Sequence, residues 1–352
     1  MVTRTRSEQE DIRSASPTLI GVSGPAHATQ SAHRRYVPYI TKNQQLALKM
    51  SVHDSVSIAK EVTLKVSSCR FIEAVGKRAG FPQRTVSTAQ ALFHRFYLHY
   101  AYRDYPTSET CIATLFVASK IEDTSKKLKD IIVAGHAIRH PDAKELDPEQ
   151  ISEERRKRLI GIERLLLEMI CFDFQTHHPY PFIPKFVKAL GGSKELAFDA
   201  YLIAKDAYRL PLCLQYPVHT IAAASIYLAS RFRAKDPGEK EVINSDTRLG
   251  RKYWYQAFYS RIEDIEDGTV CLSNSADICH DILELLIQTE QEADGAKYTQ
   301  MKITLNEEAK KRQKERSAPP PEPESSYVQA DLEVLNSNQY TILFDFAKGH
   351  EL

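Results

Sequence analysis

A lysine and a glutamate stand in segments that otherwise look buried, and they are the best candidates in this chain for a chemical role. Lys120 ends the segment "ATLFVASK", in which five of the first seven residues are apolar. Glu163 follows Ile162 and precedes "RLLLEMI" on a predicted helix with wide apolar coverage. Ammonium and carboxylate groups are seldom buried alone, because they must recover the hydration that they lose. Each residue therefore needs a partner.

Local partners offer one interpretation of both residues. Lys120 lies at the predicted C-terminal end of its helix, where the helix dipole favours a cation by about 0.3–1 kcal/mol, and Glu122 and Asp123 follow it directly. Glu163 could equally be an exposed carboxylate. Taken one at a time, the two residues leave a structural role and a binding role open.

Enzymatic and metal-binding motifs are not found in the sequence. "FHRFY" resembles the start of a kinase catalytic loop, but no Asp follows Arg95, and neither a glycine-rich phosphate loop nor a G-x-S-x-G motif is present. The six cysteines form no C-x-x-C pair, and His136 and His140 have no third ligand nearby in sequence. The sequence therefore predicts no catalytic residue, no metal site and no cofactor.

Composition and charge limit the class of protein. The 352 residues are 42% apolar and 26% charged with a net charge of +1, which is typical of a soluble globular protein with no overall attraction to nucleic acid or acidic membranes. We find no signal peptide and no apolar run long enough to span a membrane. Cysteines within apolar helical patterns favour a reducing compartment, the cytosol or the nucleus.

Apolar residues recur at three- and four-residue spacing from about residue 40 to residue 289, which predicts an all-α fold. Residues 1–39 are rich in Ser, Thr, Arg, Gly and Ala and are predicted to be disordered. Residues 293–352 form a predicted charged and Pro-rich tail that ends in a small apolar segment, "YTILFDF", whose role the sequence leaves open.

An internal repeat organises the helical part of the chain. "IATLFVASK" (112–120) aligns with "AASIYLASR" (223–231) at an offset of 111 residues, with alanines at matching positions in both copies. Small residues let helix backbones approach closely, so both segments are predicted at the centre of a helical bundle. We expect two helical domains of similar plan, residues 40–178 and 179–292, joined near "THHPYPF".

Several segments together resemble the cyclin box. "LFVASKIEDTSKKLKDII" and "IERLLLEMICFDFQTHHPYPFIPKFVKAL" carry the resemblance, with "CRFIEAVGKRAGF" upstream and "IYLASRF" and "ICHDILELL" in the second half. The resemblance covers roughly residues 57–288 and is strongest to transcriptional cyclins of the K, T and L kind, including the fungal cyclin-type subunit of the kinase of the RNA polymerase II C-terminal domain. It implies two tandem cyclin boxes between disordered ends.

The resemblance also implies a role for Lys120 and Glu163. In cyclins, the matching residues meet at the face that grips the kinase and hydrogen-bond main-chain groups around its mobile C-helix. Phe172, Phe174 and Leu167 match apolar positions of the same face. In the second repeat, Arg231 replaces Lys120, and Cys279 is aligned with Glu163. Only the first box is therefore expected to bind a kinase.

The partners implied by the resemblance are a cyclin-dependent kinase, a third small subunit and the polymerase C-terminal domain as substrate. The chain would be a non-catalytic subunit in the nucleus, with or without a cytoplasmic pool, that supports transcription elongation, and ATP and Mg²⁺ would belong to the kinase. Two alternatives remain: a DNA-binding factor with two cyclin-like repeats, similar to initiation factor IIB, and a helical scaffold without a kinase. The first would be expected to carry a zinc ribbon and a strongly basic face.

Two basic or mixed segments have open interpretations. Lys126, Lys127 and Lys129 lie near a predicted helix start and form either a solvated face or a patch for a phosphorylated or acidic partner. "RKYWYQAFYSR" mixes basic and aromatic residues as single-strand binders do, but its spacing favours a helix with Trp254 and Phe258 in the core. We therefore expect no direct binding to nucleic acid.

Overall fold

The computed structural model describes residues 39–40, 44–45, 48, 56–144, 146–234, 242–243, 247–262, 265, 278–289 and 292–316. The predicted all-α fold is confirmed, and none of the helices in these ranges is long and apolar enough to cross a membrane. The first group is α1 (Ile58–Arg78), α2 (Gln83–His99), α3 (Thr107–Ile121), α4 (Leu128–Arg139) and α5 (Glu153–Met169), with a short 3-10 turn at Pro148–Gln150. The second group is α6 (Phe182–Ala189), α7 (Lys194–Ala207), α8 (Leu212–Gln215), α9 (Val218–Arg233), α10 (Trp254–Ala257), α11 (Ile278–Thr289) and α12 (Glu292–Arg316).

Helix α3 is the centre of the first hydrophobic core. Pro106 precedes it at the N-cap, where a missing N–H costs nothing. Its alanines and other small residues let α1, α2, α4 and α5 pack around it, and nearly every residue from Thr110 to Ser119 is buried. Lys120, the next residue, is exposed. The central position predicted for this segment is confirmed.

Helix α9 repeats this design in a second core. It starts at Val218, 111 residues after the start of α3, and is again preceded by a proline, Pro217. All residues from Thr220 to Ser230 are buried, and α6, α7, α8 and α11 pack around them. The two cores are separate hydrophobic clusters, one drawn from residues 69–170 and the other from residues 183–305.

A small hairpin interrupts the helices of the second core. Strands β1 (Arg248–Leu249) and β2 (Lys252–Tyr253) pair antiparallel around Gly250, whose φ of 67° suits glycine. The hairpin leads into α10, where Trp254 is fully buried. The ring of Phe258 stacks on that of Phe186 with centroids 4.0 Å apart. The core interpretation of Trp254 and Phe258 is thus correct.

Helix α12 lies within the range assigned above to a C-terminal tail. It packs against α11, and Met301 and Leu305 are buried in the second core. The domain boundaries proposed from the sequence remain predictions. All but the last residue of the segment predicted to be disordered, residues 1–39, lies outside the described residues, as does the apolar segment "YTILFDF".

A buried carboxylate, Glu122, connects the end of α3 to the segment that joins the two cores. Its side chain is only 4% exposed and accepts hydrogen bonds of 2.6 Å from the hydroxyls of Thr88 and Thr176. Arg84 forms an ion pair with it, and His178 Nε2 lies 3.5 Å away. Burial raises the pKa of Glu122, but the two hydroxyls, Arg84 and His178 outweigh burial and hold the pKa below its ordinary value.

His178, in the segment that joins the two cores, is buried. Its Nδ1 lies 3.1 Å from the hydroxyl of Tyr208, the C-cap residue of α7. Its Nε2 lies 3.0 Å from the hydroxyl of Thr88 in α2. Tyr180, two residues on, reaches Ser87 of α2 at 2.5 Å. The joining segment is therefore hydrogen-bonded to both cores.

His94 makes a second buried connection. Its Nε2 lies 3.0 Å from the carbonyl oxygen of Tyr208 and 3.4 Å from the sulfur of Cys69. Its Nδ1 has no partner among the described residues, so a proton added there would gain no acceptor. Burial, with the nearby charge of Lys65, lowers the pKa of His94 from 6.5 to about 3 despite the bond to the carbonyl.

We predict that the free energy of unfolding falls as the pH is lowered from 7 to 5. Because the pKa of His94 is about 3 in the folded state and 6.5 in the unfolded state, only the unfolded state binds a proton as the pH falls below 6.5. Stability that is present above pH 6.5 is therefore lost below it. The slope for His94 is about 1.4 kcal/mol per pH unit. Burial also lowers the pKa of His178, so the His94→Gln variant should keep a shallower slope. Urea unfolding at several pH values measures this, and equal slopes in both proteins would contradict it.

Candidate functional site

The ion pair between Lys120 and Glu163 is the centre of the candidate site. Lys120 lies in the last turn of α3 and Glu163 in the middle of α5, and Lys120 Nζ donates to Glu163 Oε1 at 2.6 Å. The lysine side chain is 49% exposed and the glutamate 13%. Nζ also lies 4.0 Å from the ring centroid of Phe116, one turn earlier. The two residues singled out from the sequence are therefore partners of each other.

The local interpretation of Lys120 is wrong in one respect. Glu122 was a candidate partner two residues along the chain, but its carboxylate is directed to Thr88, Thr176, Arg84 and His178. The exposed lysine thus meets a glutamate from α5, at a solvent-accessible surface.

Residues on one face of α5 extend the site along the helix on both sides of Glu163. Arg156, Ile160, Glu163 and Leu167 follow each other at four-, three- and four-residue steps, so they share one side of the helix. Leu167 is half-buried and packs against the first core. Ile160 is 48% exposed, which is unusual for a large aliphatic side chain. Sequence reasoning missed Ile160, although its spacing from Glu163 could have revealed it.

The turn after α5 presents two exposed aromatic rings. Cys171 and Phe172 adopt left-handed backbone conformations, with φ of 51° and 56°. The N–H of Cys171 bonds to Glu168 O and that of Phe172 to Leu167 O, which is a Schellman arrangement normally built with glycine. Phe172 and Phe174 are 61% and 48% exposed, with their ring centroids 6.4 Å apart. Non-glycine residues in this conformation are disfavoured, and such strain clusters at binding sites.

A basic cleft adjoins the ion pair. Its lining is Phe116, Lys120, Ser125, Lys126, Lys127, Leu128, Lys129 and Arg156. The three lysines singled out in the sequence therefore lie beside Lys120, at the start of α4. Lys129 pairs with Glu149 at 2.8 Å, and Arg156 pairs with Glu153 at 2.9 Å. The described residues contain no cluster of His, Cys, Asp and Glu that could hold a metal ion.

The second repeat has a related pair, but its partner comes from the chain's own C-terminal helix. Arg231 occupies the position of Lys120, with its guanidinium 5.4 Å from the ring centroid of Tyr227, as Lys120 lies over Phe116. Glu308 of α12 forms an ion pair with it. Cys279, aligned with Glu163 in the sequence, is buried with its sulfur 3.9 Å from Ala224 O. Helix α12 thus covers this end of α9.

We predict that Lys120→Met and Glu163→Gln each change the free energy of unfolding by at most about 1 kcal/mol, because half-exposed ion pairs contribute little. Urea unfolding of the purified variants measures this. A loss of several kcal/mol would mean that the pair supports the fold rather than an external partner.

We also predict that Glu308→Lys loosens α12, because it places a like charge beside Arg231. Hydrogen exchange of backbone amides in residues 292–311 should quicken severalfold in this variant. Glu307→Lys, the same change at the neighbouring exposed position, is the control and should leave exchange near the wild-type rate. Equal exchange in both variants would contradict a role for the Arg231–Glu308 pair.

Comparison with known proteins is consistent with this geometry. The family model described as "Cyclin, N-terminal domain" matches residues 37–175, which include Lys120, Glu163 and the basic cleft. A chain in the crystal structure of the yeast RNA Pol II CTD kinase CTDK-1 complex matches in fold, with a TM-score of 0.59 over 89% of this chain and 93% of that one. The two are 19% identical.

Curated relatives from Schizosaccharomyces pombe are more similar in sequence. CTD kinase subunit beta is 39% identical over 179 residues, 49% of this chain and 53% of that protein, so the chain spans about half the length of that relative. Cyclin pch1 is 33% identical over 241 residues, 67% of this chain and 68% of that protein. With the family model, the repeated helical fold and this coverage, the chain belongs to the cyclin family.

Proposed function

We propose that this chain is a non-catalytic cyclin subunit that binds a cyclin-dependent kinase through its first helical core and activates it. The observation that supports this most directly is the Lys120–Glu163 pair, 2.6 Å long, whose lysine is half-exposed. The same part of the chain has the composition of a binding site: a polar pair with unused hydrogen-bonding capacity, Ile160 on the same face of α5, and two exposed rings, Phe172 and Phe174, in the turn that follows α5.

The ion pair leaves donors and acceptors for a partner's main chain. An ammonium has three N–H donors and a carboxylate about four acceptor sites, so one mutual bond uses only a small part of this capacity. Lys120 would donate to carbonyl oxygens and Glu163 would accept from N–H groups around the kinase's C-helix. Bonds to charged groups are roughly twice as strong as neutral ones, and the neighbouring apolar side chains would exclude water from them.

Activation follows if the chain binds only one conformation of the kinase. A partner that contacts the C-helix in its inward position shifts the population towards that state by as much as its differential affinity. The inward helix brings the kinase's own Lys–Glu ion pair together, and the kinase supplies the Mg²⁺-binding residues and ATP. The cyclin then contributes binding energy and no catalytic group.

The substrate proposed for the complex is the C-terminal domain of RNA polymerase II, and the proposed process is transcription elongation in the nucleus. Two similarities support this: the relative named CTD kinase subunit beta, and the shared fold with a chain of the CTDK-1 complex. A third small subunit belongs to the same proposal. Basic runs at residues 154–158 and 310–316 are candidate nuclear-import signals.

A pull-down with a paired variant tests the proposal. We expect tagged wild-type chain to capture a kinase from native extract that phosphorylates a polymerase C-terminal-domain peptide, and Lys120→Ala/Glu163→Ala to lose at least tenfold of that activity. The control variant is Lys302→Ala/Glu284→Ala, which removes another Lys–Glu pair between two helices, on α11 and α12. This control should retain the wild-type activity.

The possible outcomes separate the alternatives. Equal activity in all three proteins would place the kinase contact elsewhere on the surface. If the wild type captures no kinase, the proposed kinase-activating function is wrong. The DNA-binding alternative would then be tested by measuring retention on DNA at low salt. Capture of a kinase that ignores the polymerase peptide would keep the regulatory role and remove the substrate assignment.

A further inference from the structure

The basic cleft has more cationic side chains than the proposed contact with the kinase's C-helix uses. None of its eight lining residues is acidic, and five of them are cations: Lys120, Lys126, Lys127, Lys129 and Arg156. Its apolar lining is Phe116 and Leu128. Cations gathered on one part of the surface attract anions more strongly than cations scattered over the whole protein, because their potentials add.

Part of this positive charge is already neutralised by the chain. Lys120 pairs with Glu163, Lys129 with Glu149 and Arg156 with Glu153. The remaining two cations, Lys126 and Lys127, have no carboxylate within ion-pair distance among the described residues. Lys126 lies 5.7 Å from the ring centroid of Phe81 instead. The cleft therefore holds an excess of two positive charges.

These two lysines also stand where the fold disfavours cations. Lys127 is the N-cap of α4, a helix of twelve residues, and its side chain makes no capping hydrogen bond. The N-terminus of a helix carries a partial positive charge, so an ammonium there is repelled and an anion is attracted. Lysines that only face solvent would be less destabilising at almost any other position on the helix. An anion bound in the cleft would remove this conflict.

We propose that the basic cleft binds a phosphoryl group carried by a segment of the kinase that lies beside the Lys120–Glu163 pair. This inference rests on the proposed function and names a modification of the same partner. A phosphoserine or phosphothreonine has a charge of about −1.5 to −2 and three acceptor oxygens at neutral pH, which matches an excess of two cations. A carboxylate would neutralise only half of that excess.

The position of the cleft favours the kinase as the source of the phosphate. Lys120 belongs both to the ion pair and to the wall of the cleft, so a chain bound at the pair passes directly by the lysines. Nucleic acid is disfavoured as an occupant, because backbone binding needs many cations along an extended track, whereas only five cations line this cleft and the net charge of the chain is only +1.

A double-mutant cycle tests the proposal with the kinase that the wild-type chain captures. The dissociation constant is measured by interferometry on bacterially expressed chain, with the kinase before and after treatment with a broad-specificity phosphatase. The cleft variant is Lys126→Gln/Lys127→Gln. The matched control is Lys185→Gln/Lys188→Gln, which removes two exposed lysines from α6.

We expect phosphatase treatment to weaken binding at least tenfold for the wild type and the control, and less than threefold for the cleft variant. An equal loss in all three proteins would place the phosphate elsewhere and overturn the proposal, as would no loss in any of them. If the wild type captures no kinase, the proposed function fails and this inference fails with it. If capture is normal but indifferent to phosphate, only this inference fails.

Discussion

The burial of the Glu122 carboxylate is the constraint on which the arrangement of the two cores depends. A charge that is almost excluded from water is tolerated only when all its partners are in place, and losing one of them costs more than the bond itself. Here the partners come from α2 and from the segment that joins the cores. The end of α3, the start of the second core and the joining segment are therefore held in fixed relative positions. The side chains in the last turn of α3 are held in place with them.

Two charged residues, two positions apart at the end of α3, have different surroundings, and the proposed function gives a binding role to only one of them. Glu122 is buried and committed to internal partners, whereas Lys120 is half-exposed and bound to a single carboxylate. The internal network therefore determines where Lys120 sits without consuming its hydrogen bonds. A partner meets a preorganised ammonium rather than a mobile side chain, which reduces the entropy lost on binding.

The sequence could predict the features that depend on periodicity and internal similarity. Apolar spacing predicted the helices, and the 111-residue repeat predicted that α3 and α9 would each be central. The pairing of Lys120 with Glu163 was accessible only through family resemblance. The partners of Glu122, His178 and Arg231 could not be predicted, because they come from residues 30 to 90 positions away, brought near by tertiary packing. The Schellman turn at Cys171 and Phe172 lacks the glycine that would have signalled it.

The C-terminal helix limits how many equivalent surfaces the repeated fold can offer to a partner. Two similar cores could in principle offer two equivalent surfaces and link two kinases into one particle. Helix α12 places Glu308 on Arg231 and buries Met301 and Leu305 against the second core, so the duplicated position is occupied from within. Lys120 in the first copy stays half-exposed, and Arg231 in the second copy is engaged in an intramolecular ion pair. If the proposed function is correct, a one-to-one stoichiometry with the kinase is expected.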